Sequence, residues 1–239
     1  MHSKSENHSQ IREVQPNIFF VTGINIYFDD KGVEQQHSRN MIIIREKTNL
    51  SLINTVRLTE EGLQELEKLG KIVNVVRIGA FHDRDDDFYC NRYQAKLWAL
   101  PGMKHKNNRQ TDIELTPNGT MPFSNSSLVI FKTSIVSEGI FIINEDVIVS
   151  CDSIKNWENP DPFFSETTAN AYEKAGFFGK AKVSKIWREH CQVQLSDFMQ
   201  LKDFNFKHLL SAHGEPLLNL DKNQLLESIK SQYGQNNKL

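Results

Sequence analysis

The chain has 239 residues, 38% apolar and 24% charged, which describes a globular protein long enough to bury a substantial core. A formal net charge of −2 favours neither nucleic acid nor an anionic membrane as a partner. Three cysteines, Cys90, Cys151 and Cys191, with no Cys-x-x-Cys pair, argue against a disulfide framework and a thiolate zinc site and fit a reducing compartment.

No stretch approaches the roughly 18 apolar residues of a membrane span, and the polar residues 1–10 do not read as a signal peptide, so the expected location is cytoplasmic. Residues 1–12 read as a disordered arm, 13–233 as a single domain and 234–239 as a frayed tail. Strands are expected at 17–21 and 24–28, then a turn at 29–32, a polar return, a short buried strand at 41–44 and a further one at 50–54: an antiparallel meander. Thr59 can cap a helix whose apolar stripe is Leu63, Leu66 and Leu69 and whose stop is Gly70. A buried strand at 72–78 runs into His82-Asp83-Arg84-Asp85-Asp86-Asp87, then a short helix at 87–94 and a strand at 95–100. Residues 103–125 read mostly as loop. Strands follow at 128–131, 140–143 and 147–150, the last leading into Cys151-Asp152. Helices are expected near 167–175, 183–191 and 195–201. A strand at 207–211 ends at Ala212-His213-Gly214, and a helix spans 223–233.

Polar clusters therefore follow three separate strands: residues 82–87, Asp152 and His213. Carboxylates and imidazoles are metal ligands, and strand ends hold them better than free loops do. In this order of elements and motifs the chain resembles the metallo-β-lactamase fold superfamily, over residues 17–218. The resemblance implies an α+β fold, a four-layer αββα sandwich of two mixed, mainly antiparallel sheets. The family's first motif is His-x-His-x-Asp-His. His82 then stands at its first ligand and Asp86 at its acid, while Arg84 and Asp87 replace the second and last His. Asp152 resembles the later bridging Asp, and His213 the final His. Residues 123–146 hold no His where the family places one, and Ser134, Ser137 and Glu138 are the polar residues there.

The resemblance thus implies at most one metal position, faced by Asp86, Asp87, Asp152 and His213, with His82 a ligand or a supporting group. Zinc, manganese, iron or magnesium would suit it, or no metal at all. Asp86 and Arg84 are expected to carry catalysis, with Arg84 substituting electrostatically for a missing cation. Two functions follow: a metallo-hydrolase of a small ester, amide, thioester or phosphoester, or an inactive member that binds a small ligand or a protein partner. Plainer readings stand beside these. Asp85, Asp86 and Asp87 suit a helix N-terminus, Asp152 suits a helix cap, and His213 suits a hydrogen-bonded turn. His37, His105, His190 and His208 read as surface or structural. Trp157, Phe163 and Phe164 read as pocket wall or core, more commonly core.

Overall fold

The computed structural model describes residues 4–234. The chain opens on a meander of β1 (Arg12–Gln15), β2 (Ile18–Phe28), β3 (Glu34–Glu46) and β4 (Asn49–Ile53). Helix α1 (Glu60–Leu69) follows, with the Thr59 side chain accepting from the Gly62 N–H as its cap. Next come β5 (Lys71–Arg77), α2 (Asp86–Tyr93), β6 (Lys96–Ala99) and the short β7 (Ile113–Glu114). These seven strands form one sheet in sequence order, antiparallel from β1 to β4 and parallel from β4 to β7.

The second sheet holds β8 (Ser126–Ile130), β9 (Gly139–Ile143), β10 (Val147–Ser150), β11 (His208–Ser211) and β12 (Leu217–Leu218). Its order is β12-β11-β10-β9-β8, and only the β10–β11 pair is parallel. Between β10 and β11 lie α3 (Glu166–Lys174), α4 (Lys185–Cys191) and α5 (Leu195–Met199), and α6 (Lys222–Gly234) ends the described chain.

Alternation along the strands makes the layers. Ile18, Phe20, Ile42 and Ile44 point between the sheets and meet Phe141, Val149 and Leu210 of the second. Phe19, Val21, Met41 and Ile43 point outward under α1 and α2. On the far side Ile140, Ile142, Ile148 and Leu209 are covered by Trp187, Phe198, Leu226 and Ile229 of α4, α5 and α6. This is the expected αββα sandwich, with both sheets mixed.

Two readings need correction. The arm does not stay free up to residue 12. The Ser9 N–H donates to the Thr22 carbonyl at 2.7 Å, His8 Nε2 lies 3.1 Å from Thr59 Oγ1, and Arg12 already belongs to β1. Backbone pairing with the β2 edge outweighs the polar composition. Residues 1–3 and 235–239 of the expected arm and tail lie outside the described residues. The short strand at 41–44 is the end of a 13-residue strand, because β2 pairs with β3 without a break from Ile18↔Ile44 to Phe28↔Glu34. The polar return is the first half of this strand, and its Gln35, His37, Arg39 and Asn40 are buried.

Candidate functional site

The parallel pair β10–β11 sets Ser150 opposite Ser211. Each strand then continues by two residues, so Asp152 and His213 leave the same sheet edge side by side. β5 belongs to the other sheet, but its extension crosses over: Gly79 bridges to Glu138, and the Gly139 N–H donates to the Ile78 carbonyl at 2.8 Å. The approach is close enough to require glycine, since a Cβ on Gly79 would lie 2.2 Å from Cys151 Sγ. Three residues further on, His82 arrives over Asp152.

His82 Nε2 lies 3.1 Å from His213 Nε2 and 3.4 Å from Asp152 Oδ2, and His213 Nε2 lies 3.2 Å from Asp152 Oδ1. All three side chains are buried. His213 Nδ1 faces the Ser38 carbonyl at 3.2 Å, so that nitrogen carries the proton and Nε2 is bare. Burial first, and then the charge of Lys155, hold His213 well below the usual imidazole range and keep it neutral. Burial alone would raise Asp152. Lys155, whose Nζ is 3.0 Å from Oδ1, outweighs it together with the two imidazoles, so the carboxyl stays well below its ordinary range. Glu138 supports the turn from below, its Oε1 accepting from the Asp152 and Ser153 N–H groups at 3.1 and 2.9 Å. Burial, and then the charge of Asp152, push Glu138 well above the usual carboxyl range.

The cluster sits in a cavity of about 550 Å³. Trp157 packs on His213 with ring centroids 4.4 Å apart, and its Nε1–H donates to Ser38 Oγ at 2.8 Å. His37, Arg39, Arg84 and Tyr172 also line the space.

No protein-family model matches the chain, and no curated protein matches its sequence. Solved structures do match its fold. The metallo-β-lactamase DIM-1, from a crystal exposed to ceftazidime, aligns with a TM-score of 0.65 at 14% identity, covering 97% of this chain and 99% of its own. The metallo-β-lactamase FIM-1 from Pseudomonas aeruginosa in its mono-zinc form gives 0.63 at 11% identity, covering 99% of each chain. A metallo-β-lactamase from Erythrobacter litoralis gives 0.58 at 11% identity, covering 95% of this chain and 96% of its own. This chain has the metallo-β-lactamase fold.

Of the residues that the metallo-β-lactamase resemblance singled out, the structure brings together His82, Asp152 and His213. It does not bring Asp86 and Asp87 to them. Both stand in the first turn of α2, where successive residues rotate by about 100°. Asp86 is buried away from the cavity, with Oδ1 accepting from Thr55 Oγ1–H at 2.6 Å. Asp87 accepts from the Asn91 and Asn107 amides at 3.0 and 2.9 Å and meets Arg109 at 3.7 Å. Arg84 does line the cavity, but its Nη1 is turned to β2, donating to Asn25 Oδ1 at 2.9 Å and the Ile26 carbonyl at 2.8 Å. The guanidinium set among the carboxylates is that of Arg39, which pairs with buried Asp85. His37, read as surface or structural, is buried in the cavity wall, and Trp157 is wall as well as core. Arg39, Lys155 and Tyr172 line the cavity although no sequence motif singles them out. The spacing of Lys155, three residues beyond Asp152, was the one available signal.

The donor set suits one cation. Ligand atoms around a tetrahedral zinc are roughly 3.3 Å apart, given bonds of about 2.0–2.1 Å. Here the two imidazole nitrogens are 3.1 Å apart, and each faces its own Asp152 oxygen, His82 toward Oδ2 at 3.4 Å and His213 toward Oδ1 at 3.2 Å. A bare imidazole nitrogen and an ionised carboxylate oxygen repel each other at that range unless a proton or a cation lies between them. His213 has the outer hydrogen bond that orients a ligating imidazole; His82 does not, since its buried Nδ1 has no partner among the described residues.

Proposed function

We propose that the cavity is the active site of a hydrolase that uses a single divalent cation, held by His82, Asp152 and His213, to act on a small molecule. The observation that carries this reading is the convergence of the His82, Asp152 and His213 donor atoms in one buried cluster, with nearest separations of 3.1–3.4 Å. The mono-zinc form of FIM-1 supports it as a one-cation structure of the same fold. When bound, such a cation supplies Lewis-acid polarisation of a substrate carbonyl or phosphoryl oxygen and makes a water more acidic.

The rest falls to the chain. Ser38 fixes the His213 tautomer through its carbonyl and steadies Trp157 through its hydroxyl. Trp157 screens one side of the imidazole from water. Lys155 keeps Asp152 ionised and sets an ammonium beside the point where negative charge develops on a substrate oxygen. With Asp86 and Asp87 withdrawn, two imidazoles and one carboxylate make a softer set than the sequence implied, which favours zinc or iron over magnesium. An ester, amide, thioester or phosphoester remains the expected substrate.

One observation favours the second function, a binding site without catalysis: the buried Lys155–Asp152 pair satisfies the carboxylate without any cation. Metal analysis of protein purified without chelator separates the two. A single equivalent in the native chain, lost in Asp152→Ala and His213→Ala, supports the hydrolase. A folded chain that takes up neither zinc, iron nor manganese rejects it and leaves the binding function.

A further inference from the structure

The cavity carries a positive charge that the cation site does not use. Among its lining residues Arg39 pairs with Asp85, Lys155 with Asp152 at 3.0 Å and Lys106 with Asp83 at 3.6 Å. Arg84 is different. It is half-buried, and among the described residues its hydrogen bonds go to two neutral acceptors, the Asn25 amide oxygen and the Ile26 carbonyl. Both bonds leave from Nη1, so they anchor the guanidinium and spare its other edge, Nε and Nη2. Burial lowers its pKa, and Glu6 acts the other way from beyond ion-pair distance. A rigidly held guanidinium with an unused donor edge, partly withdrawn from water, is a receptor for an oxyanion.

The surroundings define the rest of the ligand. Tyr27 follows Ile26 directly, so an aromatic ring adjoins the guanidinium anchor. Its Oη lies 3.0 Å from Tyr172 Oη. Tyr172 stacks on Phe177 with centroids 4.6 Å apart, and Trp157 meets Tyr172 edge-on at 5.9 Å. All four rings line the cavity. Its volume of about 550 Å³ lies within the range of small-molecule pockets, roughly 300–1,000 Å³.

We infer that the cavity selects a small planar organic anion: a carboxylate or phosphate on the spare edge of Arg84, and an aromatic or conjugated body among Tyr27, Trp157, Tyr172 and Phe177. This rests on the cavity being the functional site, as proposed above, but not on the cation.

Calorimetric titration of the full chain after chelator treatment tests it, with phenyl phosphate, benzoate, inorganic phosphate and the neutral benzamide as probes. At least one aromatic anion is expected to bind tenfold or more tightly than benzamide, and which one does so identifies the headgroup. Arg84→Met should weaken that binding tenfold or more, with Arg84→Lys between the two. Tyr172→Ala should cost affinity for the aromatic anion and spare inorganic phosphate. Equal binding of benzamide and both anions, or an Arg84→Met chain with native affinity, overturns the inference. If Arg84→Met does not fold, the comparison of charged and neutral probes on the native chain still decides. Anion binding seen only with added zinc also overturns it and leaves the hydrolase standing. Anion binding without zinc uptake keeps it and removes the hydrolase.

Discussion

His208 and His213 show how one strand gives two imidazoles different work. His213 follows β11 by two residues and offers a bare Nε2 to the site. His208 opens the same strand, and its Nδ1 accepts the Asn219 N–H at 3.2 Å, a bond that needs the neutral ring. Burial lowers its pKa from 6.5, with Asp146 opposing. The unfolded chain therefore takes up a proton below about pH 6.5 that the native chain resists, so this contribution to stability is complete above that pH and shrinks as the pH falls. Urea unfolding at pH 7.5 and pH 5.5 should show a smaller loss of stability in His208→Gln than in the native chain. Equal losses would place the pH dependence elsewhere. Residue identity alone did not separate these two histidines, because each has a carboxylate partner that lies far away in sequence.

The loop between β5 and α2 illustrates the scale of the element. Its run of carboxylates reads in sequence as a ligand set or as a helix N-terminus, and Asp85, Asp86 and Asp87 do form the N-terminus of α2, though no Asp85 side-chain cap bond is made. Asp85 is fully buried, pairs with Arg39 of β3 and accepts the Arg57 N–H at 2.8 Å. It ties the loop that carries His82 and Arg84 to the strand that carries His37 and Ser38. Removing one partner of a buried pair leaves the other charge uncompensated, so Asp85→Ala should cost roughly 3–5 kcal/mol in urea unfolding. A loss under about 1 kcal/mol would mean that water reaches the pair. The strand–loop–helix order was legible from the apolar run at 72–78 and the polar block after it. Which carboxylate turned inward was not, because that depends on the rotation of the first turn of α2 and on Thr55, Arg39 and Arg57, all on other elements.

At the scale of the whole molecule, the site belongs to both sheets: His82 comes from one, Asp152 and His213 from the other. A cation that binds only this folded arrangement must stabilise it by mass action, by about 2.7 kcal/mol at a free concentration a hundredfold above Kd. Zinc added to chelator-treated protein should therefore raise the thermal midpoint of the native chain and leave that of Asp152→Ala unchanged. A native chain indifferent to zinc would count against the one-cation reading. By itself the sequence determined the two layers of strands, the helices that cover them and the strand ends where chemistry gathers, because alternation, capping and turn chemistry are written in neighbouring residues. Only the tertiary structure decided which polar groups meet. The β10–β11 register set Asp152 beside His213, the Gly79 crossing delivered His82, and the buried polar half of β3 brought His37 and Arg39. Those contacts join residues 46 to 131 positions apart, and no local pattern encodes such distances.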